Sequence, residues 1–330
     1  MKSHLPQFIY ELLELSYSLL DFLRLVRAIR RHRPDCMYER YNLLLPSGVW
    51  ASRVFRLPML LEINAPLFEE RRKYDGIALQ GLARFVERYT WAGADYALPV
   101  TAVLGGMIER AGVPADRIRV IPNGIDPGKF LSTPSREEAK SRLGLSGKFV
   151  LGFAGFVRPW HGLDRIIEFL ALEKNPELHL VMVGDGPARE VLLRQAHDLG
   201  VEGQFTITGI VERDGVAEHL AAFDIALQPN VVAYASPLKL FEYLALGCAI
   251  VAPSVPNIQE ILTDGNNALL FDPQSDEELF DAIRRIRADD DLRSSLGRRA
   301  KATIDEQGLT WDENAARVVG LFAALGVGEH

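Results

Sequence analysis

Two short segments, far apart in the chain, hold the residues best suited to chemistry. The first is Gly155-Phe156-Val157-Arg158-Pro159-Trp160-His161-Gly162. The second is Ser236-Pro237-Leu238-Lys239-Leu240-Phe241-Glu242-Tyr243-Leu244-Ala245-Leu246-Gly247. Each stands where a buried strand should end and a helix begin. Together they put cations, one carboxylate and several free backbone N–H groups at one edge of a sheet. That set suits a nucleoside diphosphate: cations for the pyrophosphate, a carboxylate for the ribose hydroxyls, helix N-termini for the negative charge.

In the first segment Gly155 allows a tight turn after the apolar run Phe149–Ala154, and Gly162 precedes a helix. Arg158 offers a planar fork to phosphate and His161 a ring donor. The competing reading is a surface turn with a structural histidine and a solvated arginine. In the second segment Pro237 suits the first turn of a helix with Ser236 as its cap, which leaves the N–H groups of Leu238 and Lys239 for an anion. Lys239 carries a compact charge for a phosphate or a sugar carboxylate, and Glu242, one turn on, a carboxylate for two ribose hydroxyls. On a plain helix surface such a pair is a solvated face.

The elements that must position these groups are strands and helices in alternation. Cys36–Tyr41, Met59–Asn64, Tyr96–Val100 and Ile118–Ile121 read as strands in the first part of the chain. Phe149–Ala154, Leu178–Val183, Phe205–Thr208, Ile225–Gln228, Ile250–Ala252 and Ala268–Phe271 read as strands in the second. Continuous apolar runs of this length, separated by helical stretches, predict parallel strands in doubly wound α/β sheets. Proline and glycine gather over Pro127–Ser146, which reads as an interdomain linker with a helix start at Ser135–Glu138.

Further turns fall at the same strand ends. Gly184-Asp185-Gly186-Pro187 closes one strand but lacks the third glycine of a dinucleotide loop, and reads as a tight turn near the site. Thr208-Gly209-Ile210 closes another, and the backbone at Ile210 can face a nucleotide base. Asn64, ahead of Ala65-Pro66 and Glu69-Glu70, is either a turn residue before a proline or a polar group facing a cleft. Asp289-Asp290-Asp291 lies between helical stretches and reads as a solvated turn, not a metal site. No histidine–cysteine cluster has zinc spacing, and neither a Walker loop nor a serine elbow occurs.

Near the start, Phe8, Leu12, Leu15, Leu19, Phe22, Val26 and Ile29 trace one face of a long amphipathic helix, which Pro34 stops. Arg24, Arg27, Arg30, Arg31 and Arg33 crowd its end. The helix either packs its apolar face on a sheet or touches acidic lipid headgroups at a membrane surface.

Composition bounds the rest. Of 330 residues, 48% are hydrophobic and 25% charged, a globular profile with room for two domains. The net charge of −7 argues against nucleic acid as a main partner. Cys36 and Cys248 stand in separate apolar stretches and read as small buried hydrophobes of a reducing compartment. No apolar run is long enough to span a bilayer, and the N-terminus lacks a signal-peptide layout. The expected location is cytoplasmic, with contact at the inner face of the membrane.

The motifs together resemble the retaining glycosyltransferases of the GT-B fold, family 4. The resemblance is carried by Val120–Asp126, Gly155–Gly162, Val183–Pro187, Ser236–Gly247, Val251–Ser254 and Asn267–Pro273, and covers nearly the whole chain from Pro34 onward. It implies two Rossmann-like domains with parallel sheets: 1–132 on the acceptor side, 133–308 holding the nucleotide sugar, and 309–330 as a helix that crosses back. It implies transfer of a sugar from an NDP-sugar to a glycan or lipid-linked acceptor with retention of configuration. No cofactor and no metal are expected; the NDP-sugar is a substrate. The phosphate-binding pair falls on Arg158 and His161, with Gly155, Ile210, Pro237, Leu238, Lys239 and Glu242 toward the donor, and Asn64 on the acceptor side.

Two features depart from the family pattern. Tyr234 stands where a first glutamate is usual, and His161 where lysine is. The chain also opens on a helix instead of a strand and glycine-rich loop. The resemblance therefore implies an incomplete N-terminal domain, short of about two βα units of roughly 30 residues each. A partner chain or an upstream segment would supply them, and this chain alone would be weakly active or inactive. Two other readings stay open: a non-catalytic nucleotide-sugar-binding subunit, and a sugar-nucleotide epimerase on the same fold.

Overall fold

The computed structural model describes residues 6–328, with residues 213 and 214 described in backbone only. The chain divides into two compact units. Of the described residues, the first takes those within Met1–Pro122, Tyr234–Ser236 and Asn314–His330. The second takes those within Asn123–Ala233 and Pro237–Glu313.

The first unit runs α1 (Gln7–His32), β1 (Met37–Arg40), α2 (Ser47–Phe55), β2 (Met59–Ile63), α3 (Leu67–Tyr74), α4 (Gln80–Gly93), β3 (Tyr96–Pro99) and α5 (Ala102–Arg110). Its strands pair in parallel in the order β1-β2-β3, with Met37 opposite Met59 and Leu60 opposite Tyr96. The central strand is buried on both faces. Met59, Leu61 and Ile63 pack with Val49, Val86 and Trp91, while Leu60 and Leu98 turn the other way and pack with Phe322.

The segment Ile118–Ile121, expected as a strand, makes a single bridge to Ala97. Arg119 donates to Ala97 O and Ile121 to Pro99 O, each at 3.0 Å. Pro99 has no N–H to return the second bond, so the ladder does not close.

The N-terminal helix follows its sequence pattern in part. Of the apolar stripe, Ile29 is buried and Leu15, Phe22 and Val26 are half-buried, whereas Phe8, Leu12 and Leu19 are exposed and Glu11 and Ser18 are buried instead. Polar anchoring decides the orientation. Glu11 accepts the backbone N–H groups of Ala78 (2.7 Å) and Leu79 (2.6 Å), and Ser18 donates to Leu44 O (3.0 Å). A buried carboxylate holding two otherwise orphaned N–H groups outweighs the burial of part of a leucine row.

The second unit runs α6 (Arg136–Arg142), β4 (Phe149–Ala154), α7 (Leu163–Glu173), β5 (Leu178–Val183), α8 (Arg189–Asp198), β6 (Phe205–Ile207) and α9 (Arg213–Ala221). It continues with β7 (Ile225–Leu227), α10 (Leu238–Leu246), β8 (Ala249–Pro253), α11 (Pro256–Gln259), β9 (Leu269–Phe271), α12 (Asp276–Ala288) and α13 (Asp290–Glu306). A last helix, α14 (Trp311–Ala324), follows, and from Asn314 its residues belong with the first unit.

The second sheet is parallel throughout, in the order β6-β5-β4-β7-β8-β9. The chain winds outward from β4 to β6, then returns to the other side of β4 to lay down β7. Loops leaving β4 and β7 therefore diverge and open a crevice at the C-terminal edge, where α/β sheets take their ligands. Both candidate segments are those loops and the helices they enter.

Helices cover both faces of this sheet. Phe153, Leu180 and Met182 pack toward Ile166, Leu192 and Ile283; Val150, Ala154 and Val181 pack toward Leu240, Tyr243 and Ile304. The segment read as a linker holds a short turn, Pro127–Phe130, and then α6. A reciprocal Ser135–Glu138 cap starts α6, as the sequence predicts. Asp289 likewise caps α13, accepting the Leu292 N–H at 2.8 Å.

Candidate functional site: a crevice at the sheet edge of the second unit

The crevice is built around the end of β4. Tyr243, on α10, is buried, and its hydroxyl accepts the Ala154 N–H at 2.9 Å. That bond fixes the first turns of α10 beside the loop leaving β4. α10 begins at Leu238, one residue later than expected, so Pro237 itself holds the cap position instead of Ser236. A proline side chain has no acceptor, and no side chain caps this helix end. Gly162 gives the N-terminus of α7 no side-chain cap either. Two helix N-termini at one sheet edge thus keep their first N–H groups for an anion.

The loop is held by its neighbour across the sheet. Gly155 N–H donates to Val183 O (2.9 Å) and Val157 N–H to Asp185 O (2.8 Å). The Gly184–Pro187 turn, expected near the site, is thus bonded to it. Gly184 has φ 128°, and a Cβ there would lie 2.3 Å from Gly155 O, so only glycine lets the two loops approach. Thr208 Oγ1 accepts the Gly184 N–H (3.1 Å) and ties the end of β6 into the same edge. Ile210 follows with its side chain 89% exposed, a backbone segment open to a ligand.

Phe153 gathers the charged groups. Its buried ring lies under the Lys239 ammonium, 3.6 Å from the ring centre, and against the His161 imidazole at 5.2 Å between centroids. Gly155 also borders Lys239: a Cβ there would be 3.4 Å from its Cε and Nζ. Loss of water pushes the Lys239 pKa down to about 7, against the opposing pull of Glu242. Burial, then the Lys239 and Arg158 charges, pushes His161 down to about 3.

His161 is therefore neutral at physiological pH. Its Nδ1 accepts the Arg158 N–H at 2.9 Å, which leaves the proton on Nε2. It is a neutral hydrogen-bond donor, not a second cation. Arg158 is exposed, with its guanidinium between Phe156 (5.3 Å) and Trp160 (5.0 Å).

Glu242 is half-buried one turn into α10. It lines a cavity of about 230 Å³ with Asp126, Lys129, Phe130, Val216 and Trp311. Leu238 presents an exposed side chain at the head of the same helix.

Asn64 lies in the first unit. Its amide donates to Glu62 Oε1 at 2.6 Å, and Tyr38 (2.8 Å) and Arg40 (2.9 Å) also bond that carboxylate. Burial alone would raise the Glu62 pKa, but these three bonds prevail and hold it below the usual value. Tyr234 also groups with the first unit, where its hydroxyl donates to Glu70 and its carbonyl accepts from Thr101 (2.9 Å).

Comparison with known proteins decides the family. Residues 135–303 match the family model described as glycosyl transferases group 1, and residues 4–124 a glycosyl transferase 4-like domain. The chain belongs to the group 1 glycosyl transferases. Among relatives of this family, a D-inositol 3-phosphate glycosyltransferase of Xylanimonas cellulosilytica is 30% identical over 66% of this chain and 54% of its own length. A GDP-mannose-dependent alpha-(1-6)-phosphatidylinositol monomannoside mannosyltransferase of Mycobacterium tuberculosis is 26% identical over 74% of this chain and 65% of its own. The chain thus spans between about half and two thirds of these relatives. A solved structure of Anabaena HepE in complex with UDP superposes with a TM-score of 0.79 at 20% identity, covering 91% of this chain and 82% of that one. The fold is GT-B.

Against this group 1 background, the residues that sequence reasoning missed are supporting ones. Phe153 sits two places before Gly155, and the alternation of a strand already puts it on the same face. Tyr243 and the Asp126–Trp311 cavity carried no local signal, because long-range packing creates both.

Proposed function

We propose that this chain transfers a sugar from a nucleoside-diphosphate sugar to a glycan or lipid-linked acceptor, with retention of anomeric configuration. The observation that carries the reading is the meeting of Arg158, the His161 Nε2–H and Lys239 beside two uncapped helix N-termini at the β4/β7 crevice. Relatives named for inositol phosphate and phosphatidylinositol mannoside acceptors, and a fold neighbour with UDP bound, are consistent with it.

In this scheme the bond from the anomeric carbon to the diphosphate oxygen breaks. Arg158, Lys239 and the helix N–H groups absorb the charge that develops on the leaving diphosphate. His161 donates from Nε2 to a phosphate oxygen, and Glu242 accepts from the ribose hydroxyls. The acceptor hydroxyl attacks from the face the diphosphate leaves, and its proton passes to the departing phosphate oxygen. Asn64 is assigned to the acceptor side. The protein acts in the cytoplasm, against the inner membrane face when the acceptor is lipid-linked.

The test is kinetic. Arg158→Ala should lower kcat/KM about a hundredfold or more. Glu242→Ala should raise donor KM by roughly tenfold, through the loss of charge-assisted bonds to the ribose. Unchanged kinetics in both variants, on a folded chain, would refute the site.

A further inference from the structure

The loop that leaves β4 throws three side chains out together. Phe156, Arg158 and Trp160 alternate with Val157 and Pro159. Arg158 is extended, at φ −119° and ψ 157°, and in extended backbone every second residue faces the same way. Val157 points the other way and is fully buried. Its N–H bonds Asp185 O (2.8 Å), and its carbonyl accepts the Ala188 N–H (3.4 Å). On the far side Pro159 fixes its own φ, and His161 Nδ1 takes the Arg158 N–H at 2.9 Å. The backbone that carries the three side chains is thus pinned before and after Arg158.

Core packing does not account for this arrangement. Phe156 is 60% exposed and joins neither apolar cluster of its unit. A large ring left in water at a turn gains little from the hydrophobic effect. What it meets is the Arg158 guanidinium, whose Cζ lies over the Phe156 ring at 5.3 Å and over the Trp160 ring at 5.0 Å. Among the described residues the Arg158 side chain has no carboxylate within ion-pair distance and no hydrogen-bond acceptor.

A guanidinium is planar. Its faces are weakly hydrated and attract aromatic rings, while its five N–H donors all lie in the plane. Rings against the faces therefore restrain the side chain without consuming a donor. A carboxylate partner would restrain it as well, but it would occupy the donors and offset the charge that a diphosphate requires.

We propose that Phe156 and Trp160 are positioning residues that hold the Arg158 fork edge-on to the diphosphate of the donor. The inference deepens the preceding reading and rests on it for the ligand. The two rings act through Arg158 and not by contact with the nucleotide or the sugar.

The experiment is a double-mutant cycle on the full chain, read by calorimetry with UDP, GDP, ADP and CDP. The pair Phe156→Leu, Trp160→Leu should weaken binding of the responding nucleotide about tenfold, because each exposed ring–cation contact contributes a factor of a few. The pair Phe156→Tyr, Trp160→Phe keeps both rings and should retain most of the affinity. In an Arg158→Ala background the leucine pair should change affinity by less than about twofold, since the group it acts through is gone. Thermal melting without nucleotide reports whether each variant folds. Phe156→Leu alone, at an exposed site outside both cores, should weaken binding roughly threefold and carries the same cycle should the double variant not fold.

A loss of equal size with and without Arg158 would overturn the proposal, because the rings would then act on the ligand or on the loop itself. Affinity unchanged by the leucine variants would overturn it too. The two readings fail differently. A parent chain that binds none of the four nucleotides refutes the donor site and this inference with it. A parent chain that binds one of them, with leucine variants that bind it equally well, refutes this inference alone.

Discussion

At the scale of residues, the crevice works through unequal basicity. Arg158 is charged at any relevant pH, whereas Lys239 sits over Phe153 with its pKa pushed down to about 7, and His161 is neutral. A bound diphosphate stabilises the charged form of Lys239 and raises its pKa. Below the free value both states are protonated and affinity is level; above about 7 affinity should fall by up to tenfold per pH unit. Calorimetry with the matching nucleoside diphosphate between pH 6 and 9 checks this, and Lys239→Met should flatten the curve. If His161 serves through Nε2–H as proposed, His161→Gln should retain more activity than His161→Ala. Arg158, His161, Lys239 and Glu242 were legible as types at a spacing after strands. The neutral state of His161 was not, since it follows from burial and from two cations contributed by other positions.

At the scale of elements, the site depends on how α10 is seated against β4. The Tyr243 hydroxyl accepts the Ala154 N–H inside the core, alongside the packing of Leu240 and Leu244 on Val150 and Ala154. Tyr243→Phe would leave that N–H unpaired and should cost about 1–3 kcal/mol of stability. It should also raise donor KM, because Lys239 and Glu242 ride on the same helix. Chemical denaturation and initial-rate kinetics test the two effects separately; a loss of stability with unchanged KM would mean that α10 is positioned by packing alone. The strand pattern was legible from apolar runs. The fourth strand of the first unit was overcalled because the rule counts side chains, whereas closure of the ladder turned on a missing proline N–H. For the first helix, hydrophobic periodicity put Leu15 and Ile29 on the inward side correctly, but it does not weigh a glutamate that holds two backbone N–H groups, and so missed the burial of Glu11 and Ser18.

At the scale of the molecule, the two units have separate cores, and the nucleotide groups all lie in the second. A nucleoside diphosphate at 100 times its Kd should stabilise the state that binds it by about 2.7 kcal/mol. In hydrogen exchange the protection should fall first on β4, β7 and the start of α10; protection that appeared only in β1–β3 would contradict the site. The sequence alone determined the parallel α/β class, the two candidate segments at strand ends and the family, because buried strands, glycine turns and helix starts are written in neighbouring residues. Tertiary structure alone decided which loops meet at the β4/β7 crevice, which protonation states their side chains keep, and which face of α1 looks outward. Those properties depend on long-range pairing, on water excluded by distant residues, and on polar groups that find their partners only once the chain has folded.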